Sequence, residues 1–321
     1  MGGSLAKPPS DAAISAAGLD TYELRSPFIS SPFSHVLTRA EYLALRAAKD
    51  FLLTYMSLEE SVLQILYASQ NFEEYLLRGA LDFYLFSTHE FDYFQDMRLK
   101  ANLHVIGVLN SITGFRDQFP TFKGQTGSLD ARSLFLDRWK QLQSGSIALR
   151  FGEALRNYAQ HQRQPVTGAT TGGGWDKART LMESHLTVYS ETAPVLTDRA
   201  ISLTTRTEIE AEYGAKADVA LILREMVGAV GTLVKQSRDD LKPYYDEACS
   251  IFESALKTVS QYAERFIVAD AVVIRSGSVI EKFGVFEDFL LRARRLRSTM
   301  VMTNNHQHFV SNRARGHFRD Q

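Results

Sequence analysis

FGEALRNYAQH, residues 151–161, decides how this chain of 321 residues is read. Phe151, Ala154, Leu155 and Tyr158 recur at i, i+3, i+4 and i+7, the spacing of an amphipathic helix with one face in a core. Glu153, Asn157 and His161 follow one another at i, i+4 and i+8 on another face, and Arg156 lies one position over with a side chain that reaches the same space. An arginine, an amide and an imidazole are the groups that hold a phosphate and move a proton. Pro165 ends the helix soon after, which places His161 near its last turn. Glu153 has two readings. In the preferred one it salt-bridges Arg156 at i+3 and holds it in place; in the other it is a solvated helix residue.

Working outward, the chain reads as almost entirely helical. Residues 1 to about 34 are loop-like, rich in serine and marked by Pro8, Pro9, Pro27 and Pro32. Thr38-Arg-Ala-Glu41 is a capping-box pattern opening a helix to about Met56, and Ser57-Leu-Glu-Glu60 repeats the pattern for a second helix to about Gly79. A third helix covers about 95–118, with Val105, Val108, Leu109, Ile112 and Phe115 on one face, and Phe119-Pro120 stops it. After the glycine-bearing loop TFKGQTGS a fourth helical region starts near Leu129 and breaks near Gly145 before the opening stretch.

Past His161 the texture changes. PVTGATTGGGW, residues 165–175, reads as a flexible connection and the best internal boundary. HLTVYSETAPVL, residues 185–196, holds a brief extended piece, and Thr205-Arg-Thr-Glu208 caps another helix. Val219 to Val234 and Ala248 to Phe266 mark two strongly amphipathic helices divided at Pro243. AVVIRSGSVIEKF, residues 271–283, reads as strand or hairpin, and a helix near 284–299 carries Arg292, Arg294, Arg295 and Arg297. Short loops between helices favour antiparallel packing. The expected fold class is therefore all-α, an antiparallel helical bundle with a further mostly helical C-terminal half. The expected regions are a loop-like leader over 1–34, a bundle over 35–166, an accessory helical region over 176–300 and a basic tail over 301–321.

Composition narrows the function classes. The formal net charge is −1, so no whole-chain field advertises nucleic-acid binding, and any such site is a local patch. One cysteine, Cys249, excludes an internal disulfide framework and a cysteine-based zinc site. That suits a reducing cytoplasm. No apolar run is long enough to span a bilayer, and the N-terminal residues lack the hydrophobic core of a signal peptide. The glycines of 168–174 lack the Gly-Lys-Ser/Thr of a phosphate-binding loop. His306 and His308 have no carboxylate or cysteine beside them, so no metal and no cofactor is expected.

Arg156-Asn157-x-x-x-His161 is an Arg-x4-His pair with a polar residue directly after the arginine, on the last helix of a bundle. With the wording ALRNYAQHQRQPV, and with Asn102 opening the apolar helix RLKANLHVIGVLNSITGFRDQF of residues 98–119, it resembles the HEPN superfamily. Within it the stretch is most similar to the branch whose motif reads LRNYxQH. The resemblance covers about 90–166, extends over 35–90 only as a general bundle, and hardly reaches the second half.

The resemblance implies a helical bundle of HEPN type and metal-independent cleavage of RNA by attack of a 2′-hydroxyl on the adjacent phosphate. In that scheme His161 transfers the proton, Arg156 holds the phosphate and its transition-state charge, and Asn157 orients one or the other. It also implies a homodimer in which two motifs line one cleft, a cytoplasmic location, and a bacterial defence or toxin system with an antitoxin or defence protein as further partner. Members controlled by nucleotidyltransferase antitoxins carry tyrosine two places after the histidine; Arg163 stands there instead, so that control is not expected. The alternative is a non-catalytic HEPN-like binding or scaffold protein for a nucleotide or a partner chain. Arg292, Arg294, Arg295 and Arg297, with Arg313, Arg315 and Arg319, are candidate contacts to RNA phosphates, or else a solvated basic helix end and tail.

Overall fold

A computed structural model describes residues 20–28, 32–86, 90–122, 130–175, 181–198, 201–262, 268–303 and 313–317. Residues 1–19 and 29–31 of the expected leader, most of the TFKGQTGS loop, His306, His308 and Arg319 lie outside them. In chain order the elements are β1 Thr21–Arg25, β2 Ser34–Leu37, α1 Arg39–Phe86, α2 Phe91–Asp117, α3 Ala131–Gly145, α4 Ile147–His161, β3 Gly168–Trp175 and β4 Leu181–Glu191. They continue with α5 Thr192–Val195, α6 Leu203–Tyr213, β5 Lys216–Asp218, α7 Val219–Ser260, β6 Val268–Arg275, β7 Ser278–Phe286, α8 Glu287–Arg297 and β8 Arg313–His317. The expected all-α class is thus wrong. The chain is mixed, with long helices and two antiparallel sheets.

The fold divides into two compact units, Met1–Met56 with Lys242–Ser298, and Ser57–Leu241 with Thr299–Gln321. The division falls inside α1 and α7 rather than at the 165–175 connection.

The first unit holds a sheet of order β2-β1-β6-β7. Thr21–Arg25, expected as part of a loop-like leader, is its second strand, pairing on one side with β2 and on the other with β6. Tyr22-Glu-Leu alternates as a strand with one face in a core should, and Leu24 is fully buried. The expected extended segment of 271–283 is the β6–β7 hairpin. Its two-residue turn, Ser276-Gly277, has both φ values positive, 50° and 80°, as the tight primed turns that match strand twist require. The start of α1 is capped as the pattern predicts: the Thr38 amide donates to Glu41 Oε2 at 2.7 Å and the Glu41 amide to Thr38 Oγ1 at 3.2 Å.

The second unit holds the opening stretch. Its sheet has β3 on one side of β4 and both β5 and β8 on the other. GATTGGGW, expected as a flexible connection, is strand β3 in full antiparallel register with β4, from Gly168 opposite Tyr189 to Trp175 opposite Met182. The glycines have a steric reason. A Cβ at Gly168 would overlap the Tyr189 ring, and one at Gly172 would lie 2.7 Å from His185 Cε1. The bare strand makes room for two ring-bearing neighbours. β4 alternates with Ser184, Leu186, Val188 and Ser190 inward. The helical core of this unit includes Leu76, Val105, Leu109, Phe115, Phe135, Leu149 and Leu155. No helix among the described residues is long and apolar enough to cross a membrane.

Candidate functional site

Helix α4 starts at the cap Ser146, whose hydroxyl accepts from the Leu149 amide at 3.2 Å, and ends where the Gln162 and Arg163 amides both donate to the Tyr158 carbonyl, at 2.9 and 3.1 Å. Phe151, Ala154, Leu155 and Tyr158 are buried, so the apolar stripe faces the core as its spacing predicts. Gly152 lets α7 come close, since a Cβ there would overlap the Met226 side chain.

The chain beyond α4 is held by Asn102 of α2. This side chain is 2 % exposed. Its Oδ1 accepts from the Val166 amide at 2.8 Å, and its Nδ2 donates to the Val166 carbonyl at 3.0 Å and to the Arg98 carbonyl at 2.9 Å. The amide thus pairs with both backbone groups of Val166, in the manner of a neighbouring strand.

The polar side chains of α4 have different fates. Glu153 does not take up Arg156. It accepts from Arg116 Nη1 of α2 at 2.6 Å and also from Gln143 of α3. Burial raises the Glu153 carboxyl above its ordinary range, against the opposing pull of Arg116. Arg150 is likewise committed, donating to Glu208 at 2.5 Å and to the Gln143 carbonyl at 3.2 Å. Arg138 of α3 forms a two-pronged pair with Asp240.

Arg156 is different. It is half-buried, and its Nε is shielded from water with no hydrogen-bond partner among the described residues. Asn157 is half-buried and His161 exposed on the last turn, and neither side chain is engaged in a hydrogen bond among the described residues. Five residues apart on an ideal helix, Arg156 and His161 point about 140° away from each other. One copy of the helix therefore presents the two groups on diverging sides, not converging on one point.

The arginines of α8 lie in the other unit and do not act alike. Arg297 packs over the rings of Tyr245 and Tyr55, at 4.5 and 5.4 Å from their centroids. Arg294 pairs with Glu253. Arg292 and Arg295 stay exposed. Arg294 and Arg297 are thus engaged within their own unit. Of Arg313 and Arg315 only the backbone, in β8, is described.

Other residues emerge only from the structure. Arg98, Tyr158, Arg163, Gln164, Thr167, Glu191 and Pro194 line a cavity of about 440 Å3 at the C-terminal end of α4. Their separation along the chain hides them, and the sole sequence signal is Arg98 one turn before Asn102. A second, mainly apolar cavity of about 380 Å3 is walled by Leu66, Leu77, Val108, Val227 and the Arg224–Glu73 pair. Among the described residues no three His, Cys, Asp or Glu side chains converge as a metal-ion site. Comparison of the chain with protein-family models, curated proteins and solved structures returns no match.

Proposed function

We propose that this protein cleaves RNA without a metal ion, through Arg156 and His161 of α4, in the manner of the HEPN ribonucleases that the Arg-x4-His stretch resembles. The observation that carries this reading is the uncommitted Arg156 guanidinium. Arg116 of α2, Arg138 of α3 and Arg150 of α4 each have a carboxylate. Arg156 has its Nε withdrawn from water and no partner among the described residues. A shielded N–H donor on an arginine that has no carboxylate partner is met well by the oxygen of a ligand anion.

In this reading the guanidinium binds a phosphodiester and offsets the charge that grows on its oxygens as the 2′-hydroxyl attacks. The P–O bond to the 2′-oxygen forms as the bond to the 5′-oxygen breaks. The His161 imidazole, exposed at the helix end, takes the 2′-hydroxyl proton or returns one to the leaving 5′-oxygen. Asn157, between them in sequence, donates from its amide to the phosphate or to the imidazole. The products are a 2′,3′-cyclic phosphate and a 5′-hydroxyl. Because Arg156 and His161 diverge around one helix, a second copy of the chain across a twofold axis supplies the arginine that faces each histidine. The protein is therefore proposed to act as a homodimer.

The test is cleavage of end-labelled RNA in EDTA by the wild type, Arg156→Ala and His161→Ala, with the new ends identified. The reading expects 2′,3′-cyclic phosphate ends from the wild type and a loss of about 10²–10⁴-fold in each variant. Variants that cut as well as the wild type, or a wild type that leaves a panel of structured and unstructured RNAs intact, would refute it.

A further inference from the structure

The cavity at the end of α4 has a composition that the Arg156–His161 reading does not use. Arg98 projects from α2, and its Nε is shielded from water with no partner among the described residues. Arg163 follows α4. Its amide is fixed to the Tyr158 carbonyl at 3.1 Å, while its side chain is exposed and forms no ion pair among the described residues. The lining residues thus include two arginines against one acidic residue, Glu191. A region one positive charge in excess, with an unmet buried donor, is the electrostatic complement of a small anion.

The rest of the lining defines what the anion is attached to. Gln164 Oε1 accepts from Asn102 Nδ2 at 3.4 Å, which leaves the Gln164 amide nitrogen as a donor. Glu191 is an exposed acceptor whose backbone is anchored by its amide donating to Thr167 Oγ1 at 2.9 Å. Tyr158, 5 % exposed, and the half-buried Pro194 supply a flat apolar wall. At about 440 Å3 the cavity falls within the size of small-molecule sites, on the order of 300–1,000 Å3. Bare phosphate would leave most of that space, the Glu191 acceptor and the apolar wall without a partner.

We propose that this cavity binds a small phosphomonoester with a hydroxyl-bearing ring, its phosphate held by Arg98 and Arg163, its hydroxyls by Glu191 and Gln164, and its ring against Tyr158 and Pro194. A sugar phosphate and a nucleoside monophosphate share this chemistry. The site stands independently of the Arg156–His161 reading.

The experiment is calorimetric titration of the full chain with ribose 5-phosphate, adenosine 5′-monophosphate and inorganic phosphate, with no RNA and no turnover involved. The expected result is saturable binding of at least one of the two organic phosphates, at least tenfold tighter than inorganic phosphate. The ligand that binds names the source. Arg163→Ala, a change on an exposed loop that leaves the fold intact, should weaken binding at least tenfold, and Arg98→Gln should do the same. Arg156→Ala and His161→Ala should leave it unchanged, so failure of the ribonuclease reading and failure of this one are separable. The proposal is overturned if neither organic phosphate binds, if inorganic phosphate binds as tightly as they do, or if Arg163→Ala binds as the wild type does.

Discussion

Replacing Asn102 with alanine should destabilise the second unit by about 3 kcal/mol, although the residue touches no candidate catalytic group. Val166 is fully buried, and the Asn102 side chain pairs with both its amide and its carbonyl. Deleting that side chain leaves two shielded backbone groups unmet, each costing about 1–3 kcal/mol. The bond from Nδ2 to the Arg98 carbonyl adds little, because that carbonyl lies within α2 and keeps its place in the helix ladder. Alanine is the better helix former by roughly 0.5 kcal/mol, which offsets part of the loss. The net expectation is about 3 kcal/mol. Both tryptophans of the chain, Trp139 and Trp175, belong to the second unit, so urea unfolding followed by tryptophan fluorescence reads this unit selectively. Asn110→Ala, on an exposed position of the same helix, is the control and should be neutral or slightly stabilising. A loss below 1 kcal/mol at unchanged m-value would mean that Val166 finds other partners and that Asn102 does not clip the chain.

Three further outcomes follow from packing and charge. Burial raises the Glu153 carboxyl, so the folded chain holds that proton more tightly than the unfolded chain. The resulting stabilisation is complete below the unfolded carboxyl's pKa and is lost as pH rises through the raised folded value. Glu153→Gln lacks this dependence, so its stability relative to wild type should improve from pH 4 to pH 7 in urea titrations; movement the other way would show that the Arg116 pair outweighs burial. Glu59 is 1 % exposed and receives Arg238 Nε at 2.9 Å and Nη2 at 2.5 Å, so Arg238→Leu strands a buried carboxylate and should cost about 3–5 kcal/mol by the same fluorescence assay. A Cβ at Gly231 would overlap the Met302 backbone carbonyl, which has no rotamer to yield, so Gly231→Ala should cost about 1–3 kcal/mol, and an unchanged urea midpoint would exclude that close approach.

The sequence was legible where local chemistry and burial agree. The stripe of α4, the Thr38–Glu41 box and the turn at Ser276-Gly277 each satisfy a local rule that the packed chain also obeys. Strand β3 failed that condition. Its residues carry almost no apolar signal, and its conformation comes from pairing along β4 and from the rings of Tyr189 and His185 that its glycines admit. Strand β1 was masked by the prolines and serines around it, although Tyr22-Glu-Leu has the period of a strand. The breaks expected after Met56 and at Pro243 do not occur, and their signals carry another meaning. Both helices run straight through them, yet Met56/Ser57 and Leu241/Lys242 are where the chain passes from one unit to the other. The cap-like and proline signals mark a change of core rather than an end of helix.

The candidate site was legible as a set of residues but not as a set of charges. An i, i+3 pair on a helix surface contributes about 0.2–0.5 kcal/mol, and on that local ground Glu153 and Arg156 are natural partners. The packed chain brings a stronger competitor. Arg116, 37 residues upstream, stacks its guanidinium 5.7 Å from the Trp139 ring centroid and donates to Glu153 at 2.6 Å, while Gln143 approaches the other carboxylate oxygen. In a half-buried setting these fixed bonds outweigh a solvent-screened pair within one helix. Glu153 is therefore drawn into the joint between α2, α3 and α4, and Arg156 is left with its charge unspent. That inversion bears on the role proposed for Arg156. A guanidinium already neutralised by Glu153 would have to break that pair to hold a phosphate, whereas Arg156 as placed would break no ion pair among the described residues to hold one.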